Sequence, residues 1–274
     1  MDAFWDQDED GYILNKSSLK KIPSEYLPLV EDIKDTYLKY ASDQIHSIYL
    51  FGSVPRGLST KGLSDIDCIA VLRSRANTNW TVNESKRIIK ANTIISSMVF
   101  DFEMLEEVIQ SNLFSWPVFL LSTSGVCIYG EDLILSMPKF KPSMAIANSE
   151  LIQLKDNIDE AISEIQRIDS DENLKYWCRR IMKNLLRDGF FLNMASDGKF
   201  TSDVDLCYQE FAQHYPDLAP GMARALEFSK ISSANKTEVI DLLNGFGQQL
   251  VIETDKWLDV NNPTRKAKLP LIKG

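Results

Sequence analysis

Two prolines in close succession, Pro138 and Pro142, separate two parts of the chain that differ in hydrophobic periodicity. Before them, short apolar runs bounded by Gly, Ser and Asp alternate with helical stretches, which predicts strands and helices in one domain. After them, apolar residues recur at spacings of three and four, as in amphipathic helices. We therefore expect an α+β fold, with a mixed β-sheet flanked by helices in residues 1–145 and an α-helical bundle in residues 146–274.

The individual elements are predicted from the same criteria. In the first part, we expect a helix over 24–41, strands at IHSIYLFG, DIDCIAVL and SSMVFDFEML, a helix over 83–94 and a short strand within 120–133. In the second part, one helical stripe comprises Leu151, Leu154, Ile158, Ala161, Ile165 and Ile168, and another begins with Leu174, Trp177, Ile181, Leu185 and Phe190. The second part is therefore predicted to be all-helical.

Charge and composition restrict the possible functions. A chain of 274 residues with 44% hydrophobic content can bury a substantial core, and its net charge of −9 disfavours binding to the nucleic-acid backbone. The same charge favours small or cationic substrates. The acidic start of the chain does not have the pattern of a secretory signal, and no apolar run is long enough to span a membrane, so we expect a cytoplasmic protein.

Two acidic segments have simple structural interpretations. The segment DQDEDG, residues 6–11, resembles the start of a calcium loop, but Ser17 stands where such a loop needs a bidentate Glu. We interpret it as a solvated acidic terminus. The segment TSDVDL, residues 201–206, precedes a helical stretch and is interpreted as a helix N-cap.

The strongest candidate site lies at the start of the strand DIDCIAVL. Side chains alternate along a strand, so Asp65 and Asp67 are expected on one face, about 7 Å apart. Such a pair can hold two divalent ions about 4 Å apart. Magnesium favours a few carboxylates completed by phosphate oxygens, which suits a nucleoside triphosphate as the other ligand.

A loop rich in Gly and Ser precedes these acids and can bind phosphate. Gly52 allows the backbone to approach a ligand closely, and backbone N–H groups together with the Ser53 hydroxyl can surround phosphate oxygens. Arg56 in the same loop can add a bidentate phosphate contact.

A third carboxylate is expected from the strand SSMVFDFEML. Asp101 and Glu103 share one of its faces, while Phe100 and Phe102 take the other. Either acid could complete the metal site or accept the proton of an attacking hydroxyl. We prefer Asp101, which is nearer the middle of the run.

The stretch IYLFGSVPRGLSTKGLSDIDCIAVL resembles the signature of the DNA polymerase beta-type nucleotidyltransferase superfamily. The resemblance implies that Asp65, Asp67 and Asp101 bind Mg²⁺, that Gly52 and Ser53 hold the triphosphate, and that Ser64 assists. The second part, around LLRDGFFLNMASDGKFTSDVDLCYQEFAQHYPDL, is more weakly similar to the helical domain of aminoglycoside adenylyltransferases of the streptomycin/spectinomycin type. A nucleotide-contacting Lys of those enzymes has no counterpart here, since Thr201-Ser202-Asp203 stands in its place.

The resemblance implies an enzyme that uses two Mg²⁺ ions to transfer a nucleoside monophosphate, AMP from ATP, to a hydroxyl of a small molecule, with release of pyrophosphate. An aminoglycoside-like compound is one candidate acceptor. Alternatives are nucleotidylation of a protein or RNA, and a non-catalytic nucleotide-binding regulator. Three basic residues on one helical face could contact the triphosphate or form a solvated surface: Arg180, Lys183 and Arg187. The acceptor, the base of the nucleotide and the oligomeric state are left open.

Overall fold

The computed structural model describes residues 4–110 and 112–271. As far as the chain is described, it forms two compact units, one of Tyr12–Phe140 and one of Lys141–Gly274 together with Met1–Gly11. The first contains the β-sheet and the second is helical. The predicted α+β fold is confirmed.

The sheet of the first unit has four strands: β1 (Ile45–Phe51), β2 (Ile66–Leu72), β3 (Met98–Met104) and β4 (Val126–Gly130). Their spatial order is β3-β2-β1-β4, with β1 antiparallel to both of its neighbours and β2 parallel to β3. A parallel pair needs a crossover connection, which explains the helix between β2 and β3 in the sequence. The mixed sheet predicted from the apolar runs is confirmed.

The described residues of the same unit form five α-helices: α1 (Leu27–Ala41), α2 (Ser53–Arg56), α3 (Thr81–Ala91), α4 (Leu105–Gln110) and α5 (Trp116–Ser124). The core of this unit includes Ile33 and Tyr37 of α1 with alternate residues of the strands, such as Leu50, Cys68 and Phe100. Because side chains alternate along a strand, the residues between these belong to the opposite face of the sheet. Asp67, Asp101 and Glu103 are on that opposite face.

Where the structure describes the second unit, it has seven α-helices, α6 (Met144–Leu151), α7 (Leu154–Arg167), α8 (Asp171–Asp197), α9 (Val204–His214), α10 (Ala219–Lys230), α11 (Lys236–Leu242) and α12 (Gln248–Asn261), with a π-helical segment at Leu243–Gly247. The predicted N-cap in TSDVDL is confirmed, because the Asp203 carboxylate accepts a hydrogen bond from the Leu206 N–H at 2.9 Å. In the described part of the chain, no helix combines the length and apolarity that a membrane span requires.

One acid of the helical unit is deeply buried. Asp188 on α8 is only 2% exposed, and its Oδ2 atom has no hydrogen-bond partner among the described residues. Burial raises the pKa of the Asp188 carboxyl well above its ordinary value near 3.8, and the nearby charge of Glu150 raises it further, while Arg187 lowers it. The fold therefore favours the protonated, neutral form of Asp188.

This burial predicts a pH dependence of stability. The unfolded chain binds the Asp188 proton less tightly than the folded chain, so this contribution to stability is complete below about pH 4 and is lost as the pH rises towards the folded-state pKa. Asp188→Asn keeps a neutral side chain of similar shape and should flatten that part of the profile. Urea unfolding midpoints of wild type and Asp188→Asn between pH 4 and pH 8 measure this difference in pH dependence. Identical profiles for wild type and variant would contradict the prediction.

Candidate active site around Gly52 and Asp67

The candidate site begins where β1 ends, at Gly52, whose backbone conformation favours glycine. Gly52 has φ = 80° and ψ = −144°, a conformation that residues with a Cβ rarely adopt. Its neighbour Phe51 pairs with Asp67 on β2, which brings the Asp67 side chain beside the turn. A Cβ at Gly52 would overlap Asp67 Oδ2 and lie 3.5 Å from Asp67 Cγ. Glycine is therefore favoured at position 52 by the backbone conformation and also by the Asp67 carboxylate, which occupies the space of a side chain.

A four-residue helix follows directly, and two buried hydroxyls, one at its start and one in the loop after it, have no hydrogen-bond partner among the described residues. The Ser53 carbonyl at the start of α2 accepts the Leu58 N–H at 3.0 Å, which closes the turn. Ser53 Oγ and Ser59 Oγ are buried, and neither has a hydrogen-bond partner among the described residues. Unpaired buried hydroxyls are costly and are expected where a ligand pairs with them. Arg56 ends α2 and is half-buried.

Ser64 closes the loop that leads to the acids. Its hydroxyl accepts the Thr60 N–H at 2.8 Å, and its own N–H donates to the Thr60 carbonyl at 2.9 Å. The Ser96 N–H donates to the Ser64 carbonyl at 2.9 Å, so the loop is also tied to the segment before β3. These bonds hold the backbone immediately before Asp65.

The three predicted metal ligands lie at the start of β2 and in the middle of β3. Asp65 directly precedes β2 and is exposed, whereas Asp67 is half-buried against Gly52. In the parallel ladder Asp67 pairs with Val99 and Ile69 pairs with Asp101. Asp101 is therefore two residues further along the neighbouring strand, which places its Cα about 8 Å from that of Asp67 by strand geometry.

A hydrogen bond holds the Asp101 backbone, and the surroundings of the Asp101 carboxylate change its pKa. The hydroxyl of the fully buried Tyr37 donates to the Asp101 carbonyl at 2.9 Å. The carboxylate is exposed by surface area, yet neighbouring protein atoms displace part of its water, and this desolvation raises its pKa. A raised pKa makes the carboxylate a better proton acceptor.

The acids are not assembled into a closed metal site. Among the described residues, their oxygens do not form a group of three within 4.8 Å of one another. Three like charges repel, so convergence of these carboxylates requires a bound cation. The assignment of Asp65, Asp67 and Asp101 as ligands stays a prediction.

Of the two candidate acids on β3, Asp101 is the closer to Asp67. Glu103 pairs with Val71, four residues beyond Asp67, and its Oε1 accepts the Met104 N–H at 3.1 Å. Four residues of strand correspond to about 13 Å. The register therefore favours Asp101, although both acids share the face.

The basic residues on α8 differ from one another in their surroundings. Arg180 is exposed and its guanidinium lies 5.0 Å from the centre of the Trp177 ring, whereas Lys183 and Arg187 are half-buried. Arg187 Nε is buried without a partner among the described residues. Contact between these residues and a triphosphate stays a prediction.

Sequence reasoning did not single out Ser59. Its only signal was membership of a loop rich in Gly and Ser, a composition common to many turns. Burial of an unpaired hydroxyl is visible only in the folded chain.

Residues 31–115 match the nucleotidyltransferase domain family. No curated protein matches the sequence. The structure is similar to the crystal structure of spectinomycin adenyltransferase AAD(9) from Enterococcus faecialis with ATP and spectinomycin, with a TM-score of 0.49, 15% sequence identity, and coverage of 81% of this chain and 98% of that one. The matched residues include the Gly-Ser turn and the three acids, so residues 31–115 are similar to a nucleotidyltransferase domain.

Proposed function

We propose that the protein transfers a nucleoside monophosphate, AMP from ATP, to a hydroxyl of a small molecule and releases pyrophosphate in a magnesium-dependent reaction. The observation that carries this proposal is the Gly52 turn, where the unpaired Ser53 hydroxyl and the Asp67 carboxylate are neighbours of the same backbone bend. Phosphate binding and metal binding are the two requirements of phosphoryl-type transfer.

The residues present fit both groups. Asp65, Asp67 and Asp101 supply the oxygen ligands that magnesium prefers, with remaining positions suited to water and phosphate oxygens. Gly52, Ser53 and Arg56 would hold the triphosphate, and the closed loop at Ser64 positions Asp65. When bound, two magnesium ions supply charge neutralisation of the triphosphate and a lower pKa of the acceptor hydroxyl.

The transfer itself forms one bond and breaks another. The acceptor oxygen bonds to the α-phosphorus as the bond from that phosphorus to the β-phosphate oxygen breaks, and pyrophosphate leaves. In our proposal the Asp101 carboxylate accepts the proton of the acceptor hydroxyl.

We assign transfer to residues 1–145 and choice of acceptor to the helical domain, residues 146–274. The similar AAD(9) structure contains ATP and spectinomycin, and by analogy of architecture we propose a hydroxylated, aminoglycoside-like acceptor. A net charge of −9 supports a cationic acceptor and disfavours RNA. A cytoplasmic location is part of the same proposal.

A pyrophosphate-release screen tests the function. It combines the four nucleoside triphosphates with aminoglycosides, lincosamides, other hydroxylated metabolites, protein and RNA, each with Mg²⁺ or with a chelator. We expect release with ATP and a small acceptor, and a product whose mass has increased by one AMP group. Release only with RNA or protein would contradict the small-molecule proposal. Binding of Mg-ATP by calorimetry without release on any acceptor would favour a regulator instead.

Removal of the unpaired Ser53 hydroxyl should affect stability and Mg-ATP binding differently. Ser53→Ala removes no side-chain hydrogen bond to another described residue, so the free energy of unfolding should change by less than about 0.5 kcal/mol. A hydrogen bond to a charged phosphate is lost, so Mg-ATP should bind about tenfold more weakly. Calorimetry of Mg-ATP binding and thermal unfolding measure the two effects.

Ser122→Ala is the matched control for Ser53→Ala. The Ser122 hydroxyl donates to the Pro138 carbonyl at 2.8 Å in the same unit, so its removal should affect stability and leave nucleotide binding unchanged. Unchanged binding by Ser53→Ala would show that the hydroxyl does not contact the nucleotide.

A further inference from the structure

The helical unit contains a second group of side chains with metal-binding chemistry. Asp197 is the last residue of α8, and Glu210 and His214 are four residues apart on α9, so the last two share one helical face. Ligand atoms of all three lie within 4.8 Å of one another. Among the described residues, this is the only group of at least three acidic, histidine or cysteine side chains that meets this distance.

The backbone that carries these residues is firmly held. Gly198 follows Asp197 with φ = 64°, a left-handed conformation that ends α8, and its N–H donates to the Met194 carbonyl at 3.0 Å. Two residues further, the Phe200 carbonyl accepts the Trp5 N–H at 2.8 Å. The Asp203 side chain caps α9. The turn between the helices is therefore fixed at both ends, which pre-positions the three donors.

Within the group, the contacts suit a cation. His214 Nε2 lies 2.8 Å from Asp197 Oδ2, and these side chains are 38% and 19% exposed. The Glu210 side chain is only 13% exposed, and its nearest cation is the Lys199 ammonium at 3.4 Å. The Asp197 carboxylate is thus paired with the His214 imidazole, and the Glu210 carboxylate is paired at a longer distance with the Lys199 ammonium.

The types of donor indicate the class of ion. An imidazole nitrogen with two carboxylate oxygens is typical of zinc and other divalent transition metals, whereas magnesium favours oxygen ligands throughout. Two donors from one helical face and a third from a neighbouring helix end are a common way to build such a site, and the exposed edge at His214 leaves room for water as a further ligand.

We propose that Asp197, Glu210 and His214 form a binding site for a divalent transition cation such as Zn²⁺, which ties the end of α8 to the last turn of α9. Lys199 is the internal competitor of that cation, because its ammonium lies 3.5 Å and 3.4 Å from the two Glu210 carboxylate oxygens. Binding joins two helix ends and therefore stabilises the helical unit by mass action.

Calorimetry with ZnCl₂ on the full chain, in excess Mg²⁺ and without nucleotide, tests the proposal. We expect one equivalent of Zn²⁺ that depends on the three residues, with affinity reduced at least about tenfold in His214→Ala and in Glu210→Gln. Lys199→Met removes the competing charge without removing a ligand and should bind Zn²⁺ more tightly than wild type. A rise in the unfolding temperature with Zn²⁺ should follow the same order.

Asp217→Asn is the control, since it removes one exposed carboxylate just beyond α9 and should bind Zn²⁺ as wild type does. Circular dichroism shows whether each variant is folded; if His214→Ala is not, Glu210→Gln and Lys199→Met decide. A wild type that takes up no Zn²⁺, or equal uptake by wild type, Glu210→Gln and Lys199→Met, would overturn the proposal. None of these readouts involves nucleotidyl transfer, so the two proposals fail separately.

Discussion

Asp67→Asn should lower nucleotidyl transfer about 1000-fold while the protein stays folded. The variant keeps the size of the side chain but removes the charge that would hold magnesium against the triphosphate. Metal ions contribute several kcal/mol to stabilisation of the transition state in such reactions, which corresponds to about three powers of ten in rate. Pyrophosphate release at saturating ATP, with the acceptor found by screening, measures the loss. Asp65→Asn should behave in the same way.

The control for these variants is Asp43→Asn, which removes an exposed carboxylate after α1 in the same unit. Its transfer rate should equal that of wild type. Stability should change little in Asp65→Asn and Asp67→Asn, because removal of one of several neighbouring like charges relieves repulsion. Full activity in both active-site variants would refute the metal-assisted mechanism.

Gly52→Ala should damage both folding and transfer. A Cβ at φ = 80° and ψ = −144° is strained, which should destabilise the protein by about 1–3 kcal/mol. The methyl group would also overlap Asp67 Oδ2, so the carboxylate must move. Displacement of a reacting group by about 1 Å can cost about 100-fold in rate, and we expect a loss of that order. Thermal unfolding and pyrophosphate release measure the two effects.

Gly198→Ala separates strain from the contact with Asp67. Gly198 also has positive φ, 64°, but a Cβ there meets nothing within 4 Å. It should cost about 1 kcal/mol of stability and leave transfer unchanged. If Gly52→Ala loses stability alone, with transfer intact at low temperature, the close approach of turn and carboxylate has no catalytic role.

Local patterns in the sequence were sufficient for much of the fold. The alternation around Asp101 predicted a strand with one acidic and one apolar face, and Phe100 is indeed in the core. In the predicted helix α1, Val30, Ile33 and Tyr37 are buried, whereas Leu27 and Tyr40, at the same helical spacing but near the two ends, are exposed. Periodicity reports which face of an element is apolar, but the neighbours decide how far burial extends.

Local sequence patterns predicted only part of the candidate site. The spacing of Asp65 and Asp67 and the Gly-Ser pair upstream were sufficient to predict a carboxylate beside a glycine turn, and Asp67 lies there. That Asp101 is nearer to Asp67 than Glu103 depends on the register of β2 and β3, which the sequence of either strand does not specify. The unpaired Ser59 hydroxyl and the group of Asp197, Glu210 and His214 depend on packing between segments.

The sequence by itself determined the main strands, the helical character of the second part and the glycine at the end of β1, because each follows from spacing and composition along a few consecutive residues. Only the tertiary structure decided that Asp67 occupies the space a Gly52 side chain would need, and that the ends of α8 and α9 bring three metal-binding groups together. Such contacts join residues distant in sequence, and their distances are set by strand register and helix packing.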